Sequence, residues 1–186
     1  HIEHWMDEET PFPKRDPDEL DYTLSPEYKA VFLKTLAFAR QLAETKVANE
    51  GMQKLRYYTA LTLLRGVMSA PRTGAAMLMR RAAKSRVEVP DEAIAATREQ
   101  TLETQLGAED DTTPTDIAAA VQLDDSGQKV LQALAEQLKT LEGLKSDRKA
   151  AGLARWLEAR VEEGASIIVF CRFVDTAKYL GEVVGP

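Results

Sequence analysis

From Ser25 onward, apolar positions recur at three-and-four spacing between short polar breaks, the pattern of amphipathic helices. Ser25-Pro26-Glu27 supplies a capping hydroxyl, a proline at the first helical position and an acid in the first turn. A helix is predicted from there to about Val47, with Tyr28, Val31, Phe32, Thr35, Leu36, Ala39, Leu42 and Ala43 on its packed side and Lys29, Lys34 and Arg40 outside. After Asn49-Glu50-Gly51 a second stripe of Leu55, Tyr58, Leu61, Leu64, Val67 and Met68 runs to Pro71. A third helix is expected from Thr73, carrying Ala76, Met77, Met79 and Ala83, and a shorter one from Asp91 to about Leu106.

The second half repeats the pattern and then changes period. Ser126 is read as the cap of a helix with Val130, Leu131, Leu134, Leu138 and Leu141 buried, ending at Gly143. Ser146-Asp147 opens another helix, with Leu153, Trp156, Leu157 and Val161 as its apolar face, closed by Gly164. The run Ser166 to Cys171 is β-branched and uncharged at consecutive positions, which predicts a parallel strand buried on both faces. A last helix follows from Val174 to Val183. Upstream, residues 7 to 24 hold three prolines, each fixing φ and lacking a donor, so an extended connector is predicted, with Leu20 to Leu24 as its one candidate strand.

The expected fold class is therefore mainly α, ending in the first strand and helices of an α/β lobe. It divides into a connector at 1–24, a helical region at 25–106, an acidic and weakly apolar linker at 107–126, and the helix-strand-helix segment at 127–186. A lone parallel strand needs neighbours, which points to a segment of something larger, and its exposed edge invites self-association through residues 166–173. Pairing of that strand with Leu20 to Leu24 inside one small domain is the competing arrangement.

Composition excludes several function classes. No window reaches the uncharged apolar length of a membrane span, and the first residues are not those of a secretory leader. With one cysteine, Cys171, and two histidines, His1 and His4, there is no disulfide and no recognisable metal-ligand set, and a reducing cytoplasm is expected. Cys171, with no histidine near it in sequence, reads as a small buried hydrophobe. The net charge of −6 hides strong blocks: residues 51–87 carry 8 Lys/Arg and no acid, whereas residues 88–126 carry 1 basic residue and 11 acids. Lys54, Arg56, Arg65, Arg72, Arg80, Arg81, Lys84 and Arg86 form the cationic block. Two readings stand open for it: a positive face for phosphates, or a counterweight to the acidic linker and to packed neighbours. Tyr57 and Tyr58 beside it are candidates for stacking on bases, with Tyr58 also on the buried stripe.

One resemblance spans nearly the whole chain. Ser146-Asp147-Arg148-Lys149, then Ile167-Ile168-Val169-Phe170-Cys171-Arg172-Phe173-Val174-Asp175-Thr176 and Tyr179-Leu180, resembles the start of the second RecA-like lobe of Swi/Snf-type superfamily-two helicases. Pro11-Phe12-Pro13-Lys14-Arg15 with Tyr22-Thr23-Leu24-Ser25-Pro26-Glu27-Tyr28 is similar to the connector leaving the first lobe. Leu55 to Pro71 is similar to the helical insertion of bacterial members, including helicase-like proteins of DISARM-type phage defence. The resemblance implies a parent that hydrolyses ATP with magnesium on DNA, and it implies Arg172 as a phosphate contact, joined in the cationic reading by Lys54, Arg56, Arg65, Arg80 and Arg81. The phosphate loop, acidic box and arginine motif of such motors do not occur in this sequence. It therefore implies a non-catalytic segment with no cofactor or metal site of its own, whose partners are DNA and the two RecA-like lobes. The alternative is a free-standing helical module for protein partners.

Overall fold

The computed structural model describes residues 17–47, 50–83 and 123–185. The described residues are mainly helical, with no strand among them. Residues 1–16, the expected helix at Asp91 to Leu106, the expected linker as far as Gln122, and the cations Lys84 and Arg86 lie outside the described residues.

Helix α1 spans Pro26–Glu44 and begins as its sequence dictates, the Ser25 hydroxyl accepting from the Tyr28 amide at 3.3 Å. Its buried side is Tyr28, Val31, Thr35, Ala39 and Leu42. The helix stops three residues short of the expected Val47. The Thr45 hydroxyl and amide both turn back onto the Gln41 carbonyl, at 2.7 and 3.1 Å, and Thr45 leaves the helical region at ψ 107°.

Helix α2, Glu50–Ser69, lies between α1 and α3 and packs on both. That central position buries Thr59, Thr62, Leu63 and Gly66 beyond the expected stripe, and leaves Leu61, Leu64 and Met68 only partly buried. Pro71 breaks the helix at Ala70 and occupies the first position of α3, Pro71–Ala83, two residues before the expected start. Two glycines set the approach of these helices. A Cβ on Gly74 would lie 2.9 Å from the Val67 backbone and 2.9 Å from Leu138 Cδ1, and one on Gly66 would collide with the Met77 thioether.

Helix α4, Asp125–Lys139, packs along α3 in the most extensive pair among the described helices. Its cap is Asp124, not the expected Ser126: Oδ1 accepts from the Gly127 amide at 2.8 Å, while the Ser126 hydroxyl donates to Oδ2. The amide of Gly127 first, and the Ser126 hydroxyl second, hold the Asp124 carboxyl below its usual range. Leu131, Leu134, Leu138 and Leu141 are buried as expected, whereas Val130 faces out. The helix ends at Lys139 in a turn that runs to Gly143, whose φ of +93° only glycine adopts without strain. Together Tyr28, Val31, Leu63, Val67, Leu78, the α4 leucines and Phe173 make the main core.

Helix α5, Arg148–Glu162, departs from expectation. It buries Ala150 and Ala154, while Trp156 and Val161 are exposed and Leu153 and Leu157 only half-buried. The stripe read from spacing is thus the face α5 turns away from the bundle. The run 166–171 forms no regular element and is not the buried strand expected: Ile168 is 78% and Phe170 84% exposed, and no described residue pairs with it. Leu20 to Leu24 forms no strand either. A strand is buried by strands beside it and layers above and below, and the helices described here are engaged with one another instead. Helix α6, Val174–Val183, returns to the bundle through Thr176 and Tyr179 and packs on α3.

Candidate nucleic-acid interface

The cationic block does not form one face. Arg72 is held by two carboxylates, its Nε and Nη2 donating to Glu142 at 3.0 and 2.8 Å and its Nη1 to Glu182 at 2.6 Å, and it lies over the Tyr179 ring. Arg80, expected on the phosphate backbone, donates to Asp175 at 2.8 Å and ties α3 to α6. Its partner was distant in sequence, so spacing along α3 carried no sign of the pairing.

Arg81 is corrected more strongly. It is 3% exposed and points into the packed side of α3, where a duplex backbone cannot reach it. Burial first, and the charge of Arg56 second, pull its guanidinium down to about 10, so it stays protonated at neutral pH. Its Nε, Nη1 and Nη2 have no hydrogen-bond partner among the described residues, nor does the buried Nε of Arg56. Lys54 is exposed on α2.

Arg65 and Arg172 come from α2 and from the residue pair before α6, and the fold brings them into electrostatic contact. Burial, then the charge of Arg65, lowers the Arg172 pKa. The Arg172 guanidinium also lies 5.8 Å from the Phe173 ring centre. The aromatic pair separates as their spacing suggests: Tyr58 is buried and Tyr57 is 55% exposed, in edge contact at 5.7 Å. An exposed ring beside Lys54 is a surface on which a base can stack.

The joint that positions Arg172 was not legible as a site. Asp147, 4% exposed, caps α5 by accepting from the Lys149 and Ala150 amides at 3.1 Å, and its other oxygen accepts from the buried Tyr179 hydroxyl at 3.2 Å. Tyr179 in turn accepts from the Gly143 amide at 3.0 Å. Desolvation is the largest cause raising the Tyr179 pKa, so the phenol stays protonated and donates. Lys149 turns its ammonium onto the Met68 and Ser69 carbonyls at 3.0 Å, a cation on the negative end of α2. The hydroxyls of Ser69, Thr73 and Thr176 continue the joint at 2.7 Å each. Cys171 lies beside Lys149, half-buried, and burial raises its thiol pKa above the ordinary value, the reverse of what a nucleophile needs.

Arg148 and Arg155 lie seven residues apart on one side of α5, along an open groove of about 680 Å³ that Asp21 and Tyr22 close from the other side. Neither was a candidate from the sequence, and their two-turn spacing is the one signal that marks them. No helix among the described residues is long and apolar enough to cross a membrane. No family model, curated protein or solved structure matches the chain.

Proposed function

We propose that this chain is a non-catalytic helical segment of an ATP-dependent DNA helicase or translocase, in which it orients two motor lobes and touches the DNA backbone. The observation that supports this is the unit α5, residues 166–171 and α6. It has the order helix, apolar run, helix, as in a parallel α/β lobe, and its apolar residues Ile168, Val169 and Phe170 are exposed with Trp156 and Val161. Such a run matches an interior strand awaiting sheet neighbours. The bundle α1 to α4 would act as a rigid spacer between lobes that close around nucleotide, with ATP and magnesium held by the parent's lobes. Arg65 and Arg172 are the phosphate contacts of this reading, and Lys54 and Tyr57 are secondary ones.

Fluorescence anisotropy on a short labelled duplex across a salt series tests it. Affinity is expected to fall as salt rises, and Arg65→Ala with Arg172→Ala is expected to flatten the slope of log affinity against log salt by about 1.8, at about 0.9 for each phosphate no longer neutralised. A slope unchanged by the double variant removes the DNA role. Function then passes to the alternative module for protein partners, which the Arg72 and Arg80 ion pairs favour by withdrawing two cations from any DNA face.

The exposed run also supports self-association through residues 166–173, two copies pairing where sheet neighbours would lie. Phe170→Asp is expected to convert a concentration-dependent dimer into a monomer in multi-angle light scattering. A wild type that is monomeric at every concentration refutes the pairing.

A further inference from the structure

We propose that Arg56 and Arg81 form a binding site for a phosphate monoester or free phosphate, at the contact of α2 with α3. Arg81 is 3% exposed, and none of its three guanidinium nitrogens has a hydrogen-bond partner among the described residues. The Nε of Arg56 is buried and unpartnered in the same way. A buried ion without a counter-ion is strongly unfavourable, and a second like charge beside it worsens the balance. Both effects act on Arg81 here, burial being the larger and Arg56 the second.

Among the described residues no counter-ion meets the pair, and the chemistry of one that would fit follows from what the two side chains offer. Two guanidinium groups supply two positive charges and forked N–H donors in a plane. A carboxylate returns one charge and two oxygens. A phosphate monoester returns roughly −1.5 to −2 at neutral pH with three strong acceptor oxygens, which comes closer than a carboxylate to the pair in charge and in acceptors. Arg56 is only partly buried, whereas Arg81 is buried. Arg80, the neighbouring residue, is turned to Asp175 and leaves the site to Arg56 and Arg81.

This site stands apart from the motor reading, because its readout does not involve DNA. The test is thermal unfolding of the full chain in rising inorganic phosphate at constant ionic strength, with chloride as the balancing anion. At ten times the half-saturating concentration the wild-type Tm is expected to rise by about 3–6 °C. Arg81→Met is expected to abolish the phosphate response and to raise Tm in phosphate-free buffer, because it removes an uncompensated charge. Arg56→Met and Arg81→Lys, which keep the fold with fewer donors, are expected to weaken half-saturation at least tenfold. Adenosine monophosphate in place of phosphate separates the sources. An equal shift identifies a terminal phosphate as the ligand, and a smaller one identifies the free anion. A wild type that does not respond to phosphate, or an Arg81→Met variant that responds as fully as wild type, overturns the site.

Discussion

Leu138→Ala is expected to lower the free energy of unfolding by about 3–5 kcal/mol, the upper part of the range for burial-site truncations. Leu138 is fully buried on α4 and its Cδ1 fills the space left by the missing Cβ of Gly74. Truncation therefore opens a cavity between α3 and α4, the most extensive pair among the described helices, where the two backbones are already close and the walls cannot collapse inward. Domains of this size are stable by only about 5–15 kcal/mol, so the variant should unfold at much lower urea with an unchanged m value. A loss under about 1 kcal/mol would mean that α3 and α4 are not packed as described.

Asp147→Ala is expected to cost about 2–4 kcal/mol, from two causes acting together. It removes the cap of α5, leaving the Lys149 and Ala150 amides without their acceptor, and it strands the buried Tyr179 hydroxyl. Asp147→Asn, which keeps the capping oxygen but turns an NH2 donor toward the phenol, should recover the capping share of the loss. Chemical denaturation of both variants, read beside the near-ultraviolet signal of Tyr179, checks the assignment. Equal stabilities for the Ala and Asn variants would show that the buried carboxylate is not the centre of the joint.

Where interactions are local, the sequence was a good guide. Ser25 and Pro26 announced the start of α1, Asp147 the start of α5, and the leucines of α4 announced their buried side, because capping and periodicity act within a few residues. Legibility failed where a partner came from far along the chain. The cation block read as a single face, but Arg80 found Asp175, Arg72 found Glu142 and Glu182, and Arg81 turned into the core. Asp147, Lys149 and Tyr179 gave no sign of one another in sequence, yet they join α2, α5 and α6 through hydrogen bonds between residues 32 to 81 positions apart.

Capping and periodicity are enough to make most of the described chain helical, to place the start of most of its helices and to set an apolar run of strand composition before α6. Whether a helix buries the stripe its spacing marks was settled by the tertiary structure. Spacing defines a stripe, but its burial depends on which surface another element offers. Thus α4 buries its leucines against α3, whereas α5 turns small alanines to the bundle and leaves Trp156 and Val161 outside. The same reason separates the arginines: charge is written in the sequence, but whether a guanidinium meets a carboxylate, a second guanidinium or solvent is settled by what the fold places within a few ångströms of it.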